Sequence, residues 1–375
     1  MTSSTGRLPD YPWDTLARYA ERARAHPDGI IDLSVGSPVD PTPEVARRAL
    51  ADAADAPGYP TTHGTPRLRQ GVVDWFARRR AVPGLDPAAV LATIGSKELV
   101  AWLPTLLGLG PGDVVVHPEL AYPTYDVGAR LAGATALPAD DVAAWAGRSD
   151  VRLVWVNSPS NPTGEVLGVD RLRSVVTAAR GIGAVVASDE CYALLAWAEP
   201  WRSQGVPSIL DPRVCGGSHD QLLAVYSLSK QSNLAGYRAA FVAGDLALVT
   251  RLLQVRKHAG MIMPAPAQAA AAAVLADDDH VAQQLQRYGR RREVLRDGLS
   301  SAGLVVHDSP AGLYLWVRAE GAGQDCWQTV SDLSDFGILV APGSFYGSAG
   351  ARHVRVSLTA ADEEVERAAA RLAGA

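Results

Sequence analysis

The chain has very little lysine, few cysteines and no long apolar run. Of its 35 basic residues only three are lysines (Lys97, Lys230 and Lys257), so the other 32 are arginines. The three cysteines are odd in number and far apart, without C-x-x-C spacing, which argues against a disulfide framework and against a zinc site. The longest apolar run, around residues 269–276, is too short to span a bilayer, and the polar N-terminus does not resemble a signal peptide. We therefore expect a cytoplasmic protein that does not bind a membrane.

Several common functional signatures are also missing. A net charge of −5 gives no basic surface for nucleic acid. No G-x-G-x-x-G follows a predicted strand and no Walker loop is present, which disfavours dinucleotide and P-loop functions. The pair Ser227-x-x-Lys230 matches the S-x-x-K of penicillin-binding enzymes, but neither S-D-N nor K-T-G occurs. None of the eight histidines has H-E-x-x-H spacing, so we expect no metal.

Short apolar runs alternate with helical patterns along the first two thirds of the chain. The predicted strands are 90–94, 113–117, 152–156, 184–188, 222–226 and 239–243. The predicted helices are 43–54, 66–80, 97–107, 122–131, 171–180 and 247–257. Such alternation predicts an α/β fold with a mainly parallel sheet that is covered on both faces.

The pattern changes after about residue 265. A long helix at 280–302 is followed by strands near 304–307 and 313–317, a helix near 327–335, strands near 338–340 and 353–358, and a final helix. These elements predict a smaller α+β domain. We therefore predict an N-terminal arm of residues 1–41 that packs with the small domain, a large domain of residues 42–265, and a small domain of residues 266–375.

The segment Ser227-Leu-Ser-Lys-Gln-Ser-Asn-Leu-Ala-Gly-Tyr-Arg238 carries the strongest functional signal. It follows a predicted buried strand and brings hydroxyls, loop amides and an arginine together, a combination that can hold a phosphate. Lys230 beside them is placed to react with the molecule that carries the phosphate. Arginine could not replace it in this role, because a guanidinium is effectively never a free nucleophile.

Other polar motifs also follow predicted strands. They are Gly95-Ser96-Lys97-Glu98, Tyr122-Pro-Thr-Tyr125, Asn157-Ser-Pro-Ser-Asn-Pro-Thr-Gly164 and Ser188-Asp189-Glu190, and Arg355 lies within a later strand. Each has an ordinary alternative: a helix cap, core packing, a turn, a strand-end cap or a solvated strand face. Ligands of open α/β sheets bind outside the carboxyl ends of the strands, so we expect the strand-end motifs to converge on one site.

In order and spacing, these motifs resemble the class I/II aminotransferases of pyridoxal-phosphate fold type I. The resemblance runs from about residue 32 to residue 359. Its pieces are Ser34-Val-Gly-Ser-Pro38, the segment Tyr59 to Arg69, Asn161-Pro-Thr-Gly164, Asp189-Glu-x-Tyr192, Ser227-x-Ser-Lys230 and Arg355-x-Ser357. Within this family, segments 229–238 and 335–343 look like those of the actinobacterial N-succinyldiaminopimelate aminotransferases.

The resemblance implies that pyridoxal 5′-phosphate is the cofactor. Lys230 would hold it and move the proton, and Asp189 would pair with the ring nitrogen. Asn161 and Tyr192 would hydrogen-bond the 3′ oxygen, and Tyr122 would stack on the ring. The residues implied to bind the phosphate are Ser96, Lys97, Ser227, Ser229 and Arg238, with Tyr59 reaching over from the second subunit of a homodimer. Arg355 and the Gly36 amide would hold the substrate's α-carboxylate, and Trp13, His63, Arg67 and Tyr346 are candidates for the distal pocket.

The function that follows is amino transfer between N-succinyl-LL-2,6-diaminoheptanedioate and 2-oxoglutarate in lysine (diaminopimelate) biosynthesis. The partners would be a small-molecule amino donor and a 2-oxo acid. Two enzymatic alternatives stay open: an aminotransferase of other amino-acid specificity, and a carbon–sulfur lyase of the same fold. A non-enzymatic cofactor sensor is disfavoured because the sequence shows no helix-turn-helix or basic extension.

Overall fold

The computed structural model describes residues 8–320 and 323–374. The strands are β1 (Ile31–Asp32), β2 (Val90–Ile94), β3 (Val114–His117), β4 (Thr135–Pro138), β5 (Val151–Asn157), β6 (Val185–Asp189), β7 (Leu222–Ser227), β8 (Ala239–Gly244), β9 (Leu304–Val306), β10 (Tyr314–Ala319), β11 (Ile338–Leu339), β12 (Ala341–Pro342) and β13 (His353–Ser357). The helices are α1 (Ala17–Arg24), α2 (Glu44–Asp52), α3 (Pro66–Arg79), α4 (Ser96–Leu106), α5 (Thr124–Ala132), α6 (Val169–Ile182), α7 (Trp201–Gln204), α8 (Pro212–Cys215), α9 (Leu246–Ala259), α10 (Ala265–Leu275), α11 (Asp279–Ser301), α12 (Cys326–Asp335) and α13 (Asp362–Ala373). No helix among the described residues combines the length and apolar character that crossing a membrane requires.

Within the described residues, seven strands form a large sheet in the order β2-β8-β7-β6-β5-β3-β4. The strands from β7 to β4 pair in parallel, whereas β8 runs antiparallel to both β7 and β2. The predicted α/β fold with a mainly parallel sheet is therefore confirmed.

Strand β7 shows why its sequence is a continuous apolar run. Successive side chains of a strand point to opposite faces of the sheet. Leu222, Ala224 and Tyr226 belong to the apolar core on one face, whereas Leu223 and Val225 belong to the core on the other. Because helices cover both faces, every position of the strand is buried and must be compatible with an apolar core.

The six predicted strands of the large sheet lie within one residue of the observed bounds. The edge strand β4 was not predicted, because it is partly exposed, lacks an apolar run and ends in a proline. Helix α10 was not predicted either. Its alanine-rich sequence has no polar face, so the sequence shows an apolar run without the pattern that predicts a helix.

Helix α10 begins at the predicted domain boundary of residue 265 and packs with the large sheet. Ala267, Ala270, Ala271 and Leu275 pack in the core of the large sheet, and the helix lies against α2 and α3. Small alanine side chains let these helices approach closely. The large-sheet core therefore continues to Leu275, and α11 is the first helix after it.

The C-terminal region contains an antiparallel sheet in the order β12-β13-β10-β9. The N-terminal segment joins this region, since β1 pairs in parallel with β11. Leu16, Tyr19 and Leu33 belong to the same apolar cluster as α11, α12 and α13. The first seven residues of the predicted arm lie outside the described residues.

Candidate active site

A cavity of about 460 Å³ opens at the carboxyl ends of the parallel strands. Asn157, Asp189 and Ser227 are the last residues of β5, β6 and β7. The cavity is lined by Tyr11, Trp13, Val35, Gly36, Ser96, Lys97, Tyr122, Tyr125, Asn157, Asn161, Asp189, Cys191, Tyr192, Ser227, Ser229, Lys230, Ala235, Arg238, Tyr314 and Arg355. It thus brings together the residues that the sequence predicts to bind the cofactor and the substrate's α-carboxylate, except Tyr59.

Lys230 lies in the turn after β7 and its side chain reaches across to the N-terminal segment. Its Nζ donates a hydrogen bond to the carbonyl oxygen of Gly36. Burial lowers the pKa of Lys230 below its ordinary value, and the positive charges of Arg355 and Arg238 act in the same direction, whereas Tyr314 opposes them. A lowered pKa increases the neutral fraction of the amine, which is the form that can act as a nucleophile or a base.

A cradle of polar groups surrounds the start of α4. The Oγ of Ser227 donates to the Oγ of Ser229 at 2.8 Å, and the Ser229 amide donates back to Ser227 Oγ at 3.2 Å. Arg238 lies against Gly95, where a Cβ atom would stand only 2.2 Å from Nη2 of the arginine. Gly95 also has a φ of +77°, which favours glycine. Both the close contact with Arg238 and the backbone conformation therefore require glycine at this position. Hydroxyls, a guanidinium and the amides that begin a helix together favour a phosphate.

Asp189 is a buried carboxylate without a basic partner among residues 8–320 and 323–374. Its Oδ2 accepts a hydrogen bond from the Tyr125 hydroxyl at 3.0 Å, and its Oδ1 accepts one from the Cys191 amide at 3.2 Å. Burial raises the pKa of Asp189 above the ordinary value of a carboxyl group, although these hydrogen bonds oppose the shift. A buried carboxylate of this kind is favoured by a positively charged ligand group.

Arg355 is a buried cation whose guanidinium faces the cavity from β13. Nη1 donates to Oδ1 of Asn161 at 2.9 Å, and Nη2 donates to the carbonyl oxygen of Ser34 at 2.7 Å. The Nε atom is buried without a hydrogen-bond partner, and no carboxylate of the described residues pairs with this arginine. The ring of Tyr314 lies below it, with 3.8 Å from Cζ to the ring centroid.

Tyr192 and Tyr314 form a pair of buried phenols beside Lys230. Their hydroxyl oxygens are 3.2 Å apart. Burial alone would raise the pKa of Tyr314, but the positive charges of Arg355 and Lys230 and the hydrogen bond with Tyr192 outweigh it and lower the pKa. Burial raises the pKa of Tyr192.

Aromatic residues and a lysine line the mouth of the cavity. The ammonium of Lys97 is 5.4 Å from the ring centroid of Tyr11 and 5.9 Å from that of Tyr122. Tyr11 is half exposed and its ring centroid lies 5.6 Å from that of Trp13. Lys97 is exposed and has no ion pair with a described residue, so its charge is available to a ligand.

Some predicted site residues lie outside the cavity. Tyr59 is fully exposed, and its action on a second subunit stays a prediction. His63 hydrogen-bonds a backbone carbonyl instead, and Arg67 lines a separate groove next to α2 and α10. Tyr346 is buried behind the cavity, where its ring centroid is 5.0 Å from Cζ of Arg355.

Some cavity residues were not predicted from the sequence as members of the site: Tyr11, Val35, Tyr125, Asn157, Cys191, Ala235 and Tyr314. Tyr125 and Asn157 lie within motifs that follow predicted strands, so their proximity could have been inferred. Tyr314 gave no such signal, because it stands between leucines in a predicted strand. Tyr11 belongs to an irregular arm whose path no sequence periodicity predicts.

These residues fit pyridoxal 5′-phosphate. The cradle formed by Ser227, Ser229 and Arg238 suits its phosphate. Asp189 is a buried anion for its ring nitrogen. Lys230 is an amine with a lowered pKa that can react with its aldehyde. The described residues contain no group of three or more histidine, cysteine, aspartate or glutamate side chains that could hold a metal ion.

Comparisons with known proteins agree with this chemistry. The family model for aminotransferase class I and II matches residues 28–372. The chain is 56% identical to the 4-dedimethylamino-4-oxo-anhydrotetracycline transaminase of Streptomyces rimosus, covering 97% of this chain and 99% of that protein. It is 59% identical to a probable aminotransferase of Mycobacterium tuberculosis, covering 97% and 85%. A solved structure described as a probable N-succinyldiaminopimelate aminotransferase from Thermus thermophilus has a TM-score of 0.86 at 28% identity, covering 97% of this chain and 100% of that one.

Proposed function

Because this chain belongs to the class I and II aminotransferases, which use pyridoxal 5′-phosphate, we propose that it moves an amino group between N-succinyl-LL-2,6-diaminoheptanedioate and 2-oxoglutarate. The structural relative from Thermus thermophilus that is named for N-succinyldiaminopimelate supports this substrate. The proposal places the enzyme in diaminopimelate and lysine biosynthesis in the cytoplasm.

The observation that carries the proposal is the unpaired buried charge of Arg355. A buried guanidinium without an anion is costly, since its lost hydration is not replaced. Arg355 uses Nη1 and Nη2 on neutral acceptors and leaves Nε without a partner. A substrate carboxylate would supply the missing negative charge with geometry that suits a guanidinium fork. Amino acids and 2-oxo acids share this carboxylate, so one arginine serves both halves of the reaction.

The side chains of the cavity have separate roles in the proposed reaction. When bound, pyridoxal 5′-phosphate supplies the carbonyl that takes up the amino group and a ring that withdraws electrons. Lys230, with its lowered pKa, would hold the cofactor and would be the base that takes the proton of the substrate's α-carbon and delivers it to C4′. Asp189 would keep the ring nitrogen protonated. Asn161 fixes Arg355 through a 2.9 Å hydrogen bond, which holds the substrate in one orientation.

The charges of the cavity favour a substrate with more than one carboxylate. Besides Lys230 and Arg238, which are assigned to the cofactor, its lining contains two cationic side chains, Lys97 and Arg355, neither of which pairs with a carboxylate of the described residues. N-succinyl-LL-2,6-diaminoheptanedioate carries two carboxylates beyond the one that Arg355 would bind. The open mouth beside Lys97 is the place for them. Although Lys97 is also a predicted phosphate ligand, its ammonium lies against the aromatic rings of the mouth.

The test compares kcat/KM for the succinylated donor with that for alanine and aromatic amino acids, with 2-oxoglutarate as the acceptor. We expect the succinylated donor to exceed each of them by roughly 10-fold or more, because unmet charges in the pocket penalise short apolar donors. Lys97→Gln should reduce this preference. Lys257→Gln, which removes the same charge outside the cavity lining, is the matched control. A simple amino acid that equals the succinylated donor would replace this proposal with a general aminotransferase.

A second candidate is amination of a ketone on a polycyclic molecule. It is favoured by the aromatic pair at the cavity mouth, the half-exposed Tyr11 and the partly buried Trp13, since flat rings stack on aromatic side chains. The Streptomyces rimosus relative, named for an oxo-anhydrotetracycline, also supports it. Turnover of a polycyclic ketone with glutamate as the donor, in the absence of activity toward the succinylated compound, would establish this alternative.

The proposal includes a homodimer as the smallest active unit. Tyr59 is exposed in the single chain and far more accessible than tyrosines usually are. A second subunit that receives Tyr59 at its phosphate cradle would cover it. Sedimentation equilibrium of the loaded enzyme measures the subunit count.

A further inference from the structure

Arg355 lies against two aromatic rings. The ring centroid of Tyr314 is 3.8 Å from its Cζ atom, and that of Tyr346 is 5.0 Å away. Both rings are buried. A cation placed over a desolvated aromatic face is attracted by the negative face of the ring. The rings therefore replace part of the hydration that the guanidinium loses, without using the donors that a carboxylate needs.

Tyr314 is itself held at its hydroxyl end. That hydroxyl is 3.2 Å from the Tyr192 hydroxyl. It also lies against Gly36, where a Cβ atom would come within 2.1 Å of the phenol oxygen. A phenol restrained at one end and stacked under a guanidinium at the other cannot tilt without moving the arginine. Tyr346 lacks this restraint, because its hydroxyl is buried without a hydrogen-bond partner.

We propose that Tyr314 is a positioning residue that holds the guanidinium of Arg355 in the orientation that binds the substrate carboxylate. The inference rests on the proposed role of Arg355. The aromatic ring performs the function through its contact with the guanidinium, and the hydroxyl contributes by fixing the ring against Tyr192. Tyr314 thus acts on every carboxylate-bearing substrate, whether it enters as amino acid or as 2-oxo acid.

The alternative is that Tyr314 only fills space. Tyr314 lies on β10 next to Leu315 in the apolar cluster of the C-terminal region. If it only fills space, loss of its ring would lower the stability of the protein and would not weaken the binding of carboxylates more than that of other ligands. The two explanations differ in one measurable property. A positioning role affects ligands in proportion to their use of Arg355, whereas a packing role affects all ligands alike.

Tyr314→Leu and Tyr314→Phe separate the ring from the hydroxyl. A desolvated cation–π contact is worth up to about 2 kcal/mol, so Tyr314→Leu should weaken binding of glutarate, an unreactive dicarboxylate, by ~10- to 30-fold. The KM values for glutamate and 2-oxoglutarate should rise together. Tyr314→Phe keeps the ring, and its glutarate affinity should stay within about 3-fold of wild type. Calorimetry on the loaded enzyme measures these affinities without turnover.

Reaction with 2-phenylethylamine, a primary amine without a carboxylate, supplies the discriminating control. Its single-turnover rate should be the same in Tyr314→Leu as in Tyr314→Phe, because both variants lose the hydroxyl contact with Tyr192 and no group of this amine uses Arg355. Tyr19→Leu is the matched control. It removes another buried tyrosine ring, whose centroid is 4.6 Å from an arginine Cζ but which lies outside the cavity. This variant should leave the affinity for glutarate unaltered.

The outcomes distinguish a failure of the inference about Tyr314 from a failure of the proposed role of Arg355. Arg355→Met should abolish measurable glutarate binding; if it does not, the proposed role of Arg355 is wrong. If Arg355→Met abolishes binding but Tyr314→Leu leaves it unchanged, the inference alone is overturned. Equal losses for glutarate and 2-phenylethylamine in Tyr314→Leu would also overturn it, as would a loss in Tyr314→Phe that equals the loss in Tyr314→Leu.

Discussion

Replacing Asp189 with asparagine should have opposite effects on the protein without cofactor and on the loaded protein. Without cofactor, the carboxylate is buried and has no basic partner among the described residues. It accepts hydrogen bonds from the Tyr125 hydroxyl and the Cys191 amide. Burial raises its pKa in the folded protein, so the charged form destabilises the fold above that pKa, and this penalty disappears below the ordinary carboxyl pKa.

The expected magnitude follows from these contacts. An incompletely compensated buried polar group costs about 1–3 kcal/mol, and two hydrogen bonds already offset part of this. The cofactor-free Asp189→Asn protein should therefore be about 1 kcal/mol more stable than wild type at pH 8, a rise in Tm of ~1–2 °C. In the loaded protein, loss of a charged hydrogen bond worth about 1.5–3 kcal/mol should weaken cofactor affinity by ~10- to 100-fold.

Differential scanning calorimetry with and without pyridoxal 5′-phosphate, repeated from pH 8 to pH 4, measures both effects. Asp170→Asn is the matched control, because it removes the same charge from a side chain that is 94% exposed. The stability gain of Asp189→Asn should shrink as the pH falls. A variant that is less stable than wild type at pH 8 without cofactor, yet binds the cofactor equally well, would falsify this explanation.

Two further predictions concern assembly and folding. Mixing inactive Tyr59→Ala subunits with inactive Lys230→Ala subunits should restore some activity, since one site of the mixed dimer carries neither change; mixtures that stay inactive despite proven subunit exchange would contradict a shared site. Glu190→Gln should lower the free energy of unfolding by about 3–5 kcal/mol, because it leaves Arg80, paired at 2.7 Å with both side chains 1% exposed, as an unpaired buried charge. Denaturant titration checks this, and a loss below about 1 kcal/mol would show that Arg80 is compensated by its backbone acceptors.

The parallel sheet and the residues at its strand ends were predictable from sequence. Asp189 and Ser227 end apolar runs, and parallel strands bring their carboxyl ends to one edge of the sheet. Local sequence therefore determined both where these side chains lie on the chain and which edge they share. The same holds for Asn161 and Lys230, which follow such strands within a few residues.

The remaining features depend on contacts between segments that are distant in sequence. Tyr314 lies under Arg355 because β10 pairs with β13, with Trp316 opposite Arg355 in the register. Tyr11 reaches the cavity because the N-terminal segment joins the C-terminal region through β1 and β11. Helix α10 belongs to the large-sheet core through close packing of alanines. None of these pairings has a periodicity that local sequence could reveal.

The most direct test of the proposed active site is to identify the residue that carries the cofactor. Purified enzyme loaded with pyridoxal 5′-phosphate is reduced with borohydride, digested and analysed by mass spectrometry. We predict that the added cofactor mass lies on the peptide that contains Lys230 and is absent from Lys230→Ala and Lys230→Arg proteins. Attachment at Lys97 or Lys257 in the wild-type enzyme would contradict the assignment of this cavity as the active site.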